Sequence, residues 1–160
     1  MRPLNQRKRS KTLRGSILDR LMKDSSPEAQ TWEASVAAFK ANLLRDLEWL
    51  LNTRESGDPA TAPYSELECS IYNYGLPDFA SMAADSPATR ARLQRSIERE
   101  IAVFEPRLKD VRVTILDEGK GGLRAMRFEI EAMLRLDPDP ERVEFDMELE
   151  MTDGRFSIKG

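Results

Sequence analysis

The stretch that decides the fold is MRFEIEAMLRLDPDPERVEFDMELEMTDGRFSI, residues 126–158. Apolar residues occupy alternate positions on both sides of the helix-hostile Asp137-Pro138-Asp139-Pro140, a pattern typical of strands with one buried face. Asp153-Gly154 is a tight hairpin signal before a short final strand. A further alternating run at 111–115 precedes a glycine-rich turn at 118–122. The carboxyl-terminal third is therefore predicted to be an antiparallel meander of three long strands and one short one, with a single apolar face.

Upstream of this region the apolar residues repeat every three or four positions, which predicts helices. A short helix follows Ser16, and a longer one begins at Ser26-Pro27 and continues to about Thr53. A third begins at Ser86-Pro87 and ends before Pro106, because the residue before a proline is pushed toward extended geometry. The predicted fold class is α+β, with amino-terminal helices packed on one face of a carboxyl-terminal antiparallel β-meander of three to four strands.

Residues 54–77 connect the second and third helices and show no sustained period beyond a possible helical turn at 65–69. A connection of that length in a compact domain is usually functional or mobile. Tyr72 and Tyr74 in this segment have two interpretations. They stack on a ligand, or they pack the segment down on the helices, and the second is the commoner use of such aromatic residues.

The composition excludes several kinds of site. The 160 residues contain no histidine and one cysteine, Cys69. Serine and cysteine hydrolases that depend on histidine, histidine-ligated metal sites and intrachain disulfides are therefore impossible. Nothing in the sequence indicates a cofactor. No run approaches the roughly 20 apolar residues of a membrane span, and the amino terminus lacks the apolar stretch of a secretory signal, so we expect a cytoplasmic protein with no membrane partner.

Charge is distributed unevenly along the chain. Six cations and no acid lie within the first 14 residues, and the remainder holds 19 basic against 28 acidic residues. We predict a basic, flexible tail over 1–15 and a single domain over 16–160. The tail leaves open a nucleic-acid- or regulator-binding module, although the acidic body argues against nucleic acid as a partner. Eight acids between 137 and 153 are interpreted as a solvated outer face, or alternatively as a docking surface for a basic partner.

Four motifs occur together in an order and spacing that resemble one family. They are SILDRL at 16–21, LLRDLEWLLNTR at 43–54, SIYNYGLPDF at 70–79 and FEPRL at 104–108. The pattern resembles the TssE baseplate subunits of bacterial type VI secretion systems, and is similar to the small wedge protein of contractile phage tails. The resemblance implies a non-enzymatic wedge subunit that binds TssF and TssG and helps to start the TssB and TssC sheath.

The resemblance also implies candidate site residues. The family's Glu-Pro-Arg element, associated with the start of sheath assembly, falls on Glu105, Pro106 and Arg107, and we add Tyr74 and Asp78 as candidate partner-binding residues. From the residues alone, Pro106 ends a helix rigidly, so that an acid and a base are held at a fixed corner. They either pair with each other or with neighbours to orient the corner, or they grip complementary charges of a partner.

Two further hypotheses concern the sheet and the acids. The final strand is expected at a sheet edge, where a sheath arm adds as an extra strand, there or at the opposite edge. The family's old lysozyme-like label suggests a glycoside hydrolase, which needs two carboxyls across a sugar cleft. Glu48 with Asp78 or Glu105 is the pair one would propose, but nothing in their spacing requires them to meet.

Overall fold

The computed structural model describes Leu21 and residues 32–56, 64–79, 86–116, 125–136 and 139–159. Contacts divide the chain into two compact units, Met1–Arg45 and Asp46–Gly160. The elements are α1 (Trp32–Asn52), α2 (Ser65–Glu68), a 3-10 turn (Ile71–Asn73), α3 (Pro87–Phe104), β1 (Leu108–Leu116), β2 (Ala125–Leu134), β3 (Glu141–Glu150) and β4 (Arg155–Lys159). The predicted α+β class is confirmed.

The described part of the first unit is helical. Leu21 lies in a helix, and the amino-terminal two thirds of α1 follow from Trp32 onward, with Ser35 and Leu43 buried. The remaining predictions for this unit, namely the basic tail, most of the helix after Ser16 and the helix start at Ser26-Pro27, lie outside the described residues. None of the described helices is long and apolar enough to cross a membrane.

The second unit is built around a four-stranded antiparallel sheet of order β1-β2-β3-β4. Its register pairs the apolar residues of neighbouring strands, as in Val113 with Ile130 and Phe128 with Met147. Because successive side chains in a strand point to opposite faces, this register gives one buried apolar face and one exposed charged face. The predicted meander is confirmed, and the described acids of the outer face are exposed or half-buried.

Helix α3 covers part of the apolar face and packs against β1. Leu93, Ile97 and Ile101 on its inward stripe are buried, as predicted from their spacing. Glu100 on the same helix is also buried, and burial raises its pKa to about 7, with the charge of Arg99 opposing the shift and that of Glu55 adding to it. A carboxyl in an apolar setting resists ionisation because its charged form loses hydration.

Two strand boundaries differ from a simple alternating pattern. Strand β3 ends at Glu150, one residue earlier than the apolar alternation through Met151, because 151–154 form the turn to β4. Strand β1 is interrupted between Lys109 and Arg112 by a bulge, in which Asp110 has a left-handed φ of 52°. Aspartate tolerates that region better than most residues, and a bulge bends and twists the strand that carries it.

The segment predicted to be a long connection is anchored at its carboxyl end. The N–H of Leu76 donates to the carbonyl of Thr53 (2.8 Å), and the N–H of Glu55 donates to the carbonyl of Leu76 (3.1 Å). Gly75 makes this approach possible, because it has φ of +116° and an added Cβ would lie 2.4 Å from the Thr53 oxygen. The sequence therefore needs glycine at this position for both conformation and space.

Candidate partner-binding site

The Glu-Pro-Arg element lies at the corner where α3 ends and β1 begins. Glu105 is the C-cap of α3, and its N–H donates to the carbonyl of Ile101 (2.9 Å). The N–H of Leu108 then donates to the carbonyl of Glu105 (3.1 Å), which closes a turn with Pro106 exposed at its tip. The corner is tied to the sheet by the N–H of Arg135, which donates to the carbonyl of Arg107 (2.8 Å).

The two charges of this corner are turned toward each other. The Arg107 Nε donates to Glu105 Oε1 (2.5 Å), and its Nη2 donates to Glu105 Oε2, which makes a bidentate pair. Nη2 also donates to Asp46 Oδ2 (2.7 Å) on α1. The exposed fraction is 7% for the Glu105 side chain, 19% for Arg107 and 20% for Asp46, so this is a largely buried network. We call these three residues the corner network.

Electrostatics within the corner network favour full ionisation of Arg107. Burial alone lowers the pKa of Arg107, but its hydrogen bonds to Glu105 and Asp46 and the charges of both carboxylates outweigh that effect and raise it. A guanidinium suits this role because its planar fork donates to a carboxylate in bidentate fashion. The network thus links α1, the end of α3 and the residue that precedes β1, which is the first of the two alternatives predicted for this corner, a pairing that orients it.

Tyr74 lies beside the corner network. Its ring packs edge-to-face on Phe104, with centroids 5.2 Å apart and an interplanar angle of 73°. Burial raises the pKa of Tyr74, and the charges of Asp46 and Glu105 add to the increase. Of the two interpretations of this aromatic residue, the structure shows the packed one, while Tyr72 is 46% exposed.

Asp78 occupies a different place from the other candidates. It forms an ion pair with Arg54, in which both side chains are at least half exposed. The structure therefore gathers Tyr74, Glu105 and Arg107 around one corner and places Asp78 with Arg54 at the end of α1. Of the carboxyls named for a glycosidase, Glu105 and Asp78 are each held by an arginine. Within the described residues, no group of three or more acids or cysteines is arranged to hold a metal ion.

Asp46 is the residue of this site that sequence reasoning missed. It lies one position before buried Leu47 on α1, where the helical period places it off the apolar stripe. A residue at the border of an apolar stripe is partly buried, so an acid there requires a partner. That signal marks Asp46 as a paired acid, but only the folded chain shows that its partner is Arg107, 61 residues away.

The family assignment follows from comparison with known proteins. Residues 37–139, which include the corner network and most of the described elements, match the family of the baseplate wedge protein gp25. The chain belongs to the gp25 baseplate wedge family. No curated protein matches the chain. Among solved structures, a chain of "The baseplate complex from the type VI secretion system" matches with 20% identity and a TM-score of 0.48, over 69% of this chain and 93% of that chain.

The corner has the character of a structural element of the fold. The network is a structural one, with the charged groups compensated inside the corner and Pro106 left at the surface.

A groove of about 550 Å³ lies elsewhere in the same unit, between the end of α1, the segment 76–79, the start of α3 and the inner face of the sheet near β4. Trp49, Phe79 and Phe156 contribute to its wall, and Trp49 is 47% exposed.

Proposed function

We propose that the protein is a non-enzymatic, TssE-like structural subunit of a type VI secretion baseplate wedge, located in the cytoplasm. The single observation that carries the proposal is the match of residues 37–139 to the gp25 wedge family. The four motifs of the sequence favour the type VI branch of that family. We further propose that residues 16–160 form the wedge domain, that 1–15 lie outside it, and that the partners are TssF, TssG and the sheath subunits TssB and TssC.

We propose that the corner is one contact with these partners. The corner network fixes the direction in which Pro106 protrudes, because Glu105 and Arg107 on either side of it are bonded to each other and Arg107 is also bonded to Asp46. A partner that meets this corner therefore meets a preorganised surface, and little conformational entropy is lost on binding. Tyr74 supports the corner through its ring contact with Phe104, the last residue of α3. Asp78 with Arg54 offers a separate exposed pair for register.

Strand addition is the second proposed contact, and the two sheet edges differ in their suitability. The bulge at Asp110 interrupts β1, and Glu98 of α3 accepts a hydrogen bond from the N–H of Val113 (2.8 Å). Side-chain hydrogen bonds occur at both edges, but a bulge, which is a usual protection of a sheet edge, occurs only in β1 among the described strands. The outer edge of β4 carries no bulge, so we propose that a sheath arm adds to β4 rather than to β1.

The test is co-purification from cells that produce the protein together with TssF and TssG, followed by sheath assembly with TssB and TssC. Ile158→Pro removes a backbone donor at the β4 edge, and Ile158→Ala is its matched control because it keeps that donor. The expected result is that Ile158→Pro retains TssF and TssG but loses sheath assembly, while Ile158→Ala retains both. Failure of the unaltered protein to co-purify with TssF and TssG would overturn the wedge assignment.

The corner is tested in the same assembly. Arg107→Met removes the guanidinium. Sheath assembly with this variant is compared with that of the unaltered protein, at a temperature where circular dichroism shows the variant to be folded. We expect loss of sheath assembly with retained folding. An Arg107→Met protein that folds and assembles sheath as the unaltered protein does would remove the corner from the set of partner contacts.

A further inference from the structure

The outer edge of β4 is partly covered by a side chain of the protein itself. Asn52, at the carboxyl end of α1, accepts a hydrogen bond from the N–H of Phe156 through Oδ1 (2.9 Å). Its Nδ2 donates to the carbonyl of the same residue (2.9 Å). One side-chain amide therefore satisfies both backbone groups of Phe156, as a residue of a neighbouring strand would do.

The amide orientation of Asn52 is determined by its surroundings. Nδ2 also donates to the carbonyl of Glu48 one turn earlier in α1 (2.9 Å). In the opposite orientation the amide oxygen would face two carbonyls and the NH₂ group would face an N–H, so all three hydrogen bonds would be lost. The contact is thus a specific three-bond arrangement and not a chance approach of a surface side chain.

The strand register shows what the amide covers. In an antiparallel pair, directly opposed residues alternate between bonded and non-bonded pairs. The backbone N–H and C=O of Phe156 are bonded to Asn52, so the pair of Phe156 with Leu149 is non-bonded. The pair of Ile158 with Met147, two residues further along, is non-bonded for the same reason of alternation. Phe156 and Ile158 therefore direct their backbone groups away from β3. Asn52 takes the first of these two positions, and within the described residues no side-chain hydrogen bond covers the second.

We propose that Asn52 guards the outer edge of β4: its amide takes the place of a neighbouring strand at Phe156, and an extended segment of another chain pairs there only after Asn52 moves away. This inference deepens the proposed strand addition and rests on it for the identity of the natural partner. Without that partner, the chain most readily available to an unguarded edge is a second copy of the protein.

The guard is testable with the purified protein alone. Asn52→Ala uncovers the backbone groups of Phe156, so one more residue pair becomes available on an open edge. The self-association constant measured by sedimentation should therefore be at least about tenfold higher than that of the unaltered protein. Asn52→Ala/Ile158→Pro should return to the unaltered behaviour, because proline blocks the same edge. Thr53→Ala is the matched control: it removes the hydroxyl that donates to the carbonyl of Trp49 at the same helix end but touches no strand.

Three outcomes would overturn the proposal: a folded Asn52→Ala protein that associates no more than the unaltered one, equal association in Thr53→Ala, or association that persists in the double variant. Hydrogen exchange in the unaltered protein gives a test that needs no variant to fold. The Phe156 N–H should exchange about as slowly as the Ser157 N–H, which is bonded within the ladder. Exchange of Phe156 as fast as Ile158 would overturn the guard. None of these readouts involves sheath or baseplate proteins, so the wedge assignment and the guard fail separately.

Discussion

Replacement of Arg107 by methionine tests the corner network most directly. The variant keeps much of the apolar length of the side chain but removes the guanidinium, leaving Glu105 and Asp46 without the cation that binds both. Removal of one partner from a buried ion pair costs about 3 to 5 kcal/mol. The side chains of Arg107 and Asp46 are each about one fifth exposed, so we expect the lower end, a loss of about 3 kcal/mol in the free energy of unfolding at pH 7.5.

The expected thermal effect is a decrease of about 6 to 12 °C in the melting temperature, on the scale of a 160-residue chain. Urea unfolding followed by circular dichroism at pH 7.5 measures the accompanying loss in the free energy of unfolding.

A double-mutant cycle separates the ion pair from the loss of packing. The loss in the free energy of unfolding of Glu105→Gln/Arg107→Met should be about 1 to 3 kcal/mol smaller than the sum of the losses in the two single variants, because the double variant buries one fewer unpaired charge. Arg112→Met, on the exposed face of β1, is the control and should change stability by less than about 0.5 kcal/mol. The reasoning is refuted if Arg107→Met is as stable as the control, or if the losses of the two single variants simply add in the double variant.

Three further predictions concern other parts of the second unit. Gly75→Ala places a Cβ against the Thr53 carbonyl at φ of +116° and should lower the free energy of unfolding by about 3 kcal/mol in urea titration; an unchanged midpoint would contradict it. Because the pKa of Glu100 is raised to about 7, the folded state holds its proton more tightly and stability declines as the pH rises from 4.5 toward 7. Glu100→Gln should remove that decline and be about 1 to 2 kcal/mol more stable than the unaltered protein at pH 8, whereas parallel stability profiles would argue against it. Glu98→Ala should cost about 1 kcal/mol and speed hydrogen exchange at the Val113 N–H, and unchanged exchange there would show that Glu98 does not cover the edge.

Much of the fold is predictable from local patterns. The alternation in 126–158 predicted β2, β3 and β4, and the three-to-four repeat after Ser86 predicted α3 with its end before Pro106. These predictions succeed because burial of one face imposes a period of 2 on a strand and 3.6 on a helix. The bulge at Asp110 escaped prediction, because a single extra residue in one strand leaves the alternation on both sides almost intact.

The candidate site was predictable only in part. The rigid corner at Pro106 follows from local chemistry, and the pairing of Glu105 with Arg107 was one of two alternatives that their proximity allowed. The choice between those alternatives depends on burial, which brings Asp46 to the same guanidinium. The separation of Asp78 from the corner likewise depends on the path of the segment around Gly75.

By itself, the sequence determined the fold class, the apolar face of the sheet, the exclusion of histidine chemistry and the motifs that resemble the wedge family. These properties are encoded in periodicity and composition, which act over a few neighbouring residues. The tertiary structure alone decided which charges compensate one another and which backbone groups remain exposed at the sheet edges. Asn52 and Phe156 are 104 residues apart, and their hydrogen bonds exist only because the end of α1 meets β4 in the folded chain. Such contacts depend on three-dimensional packing, which no local pattern records.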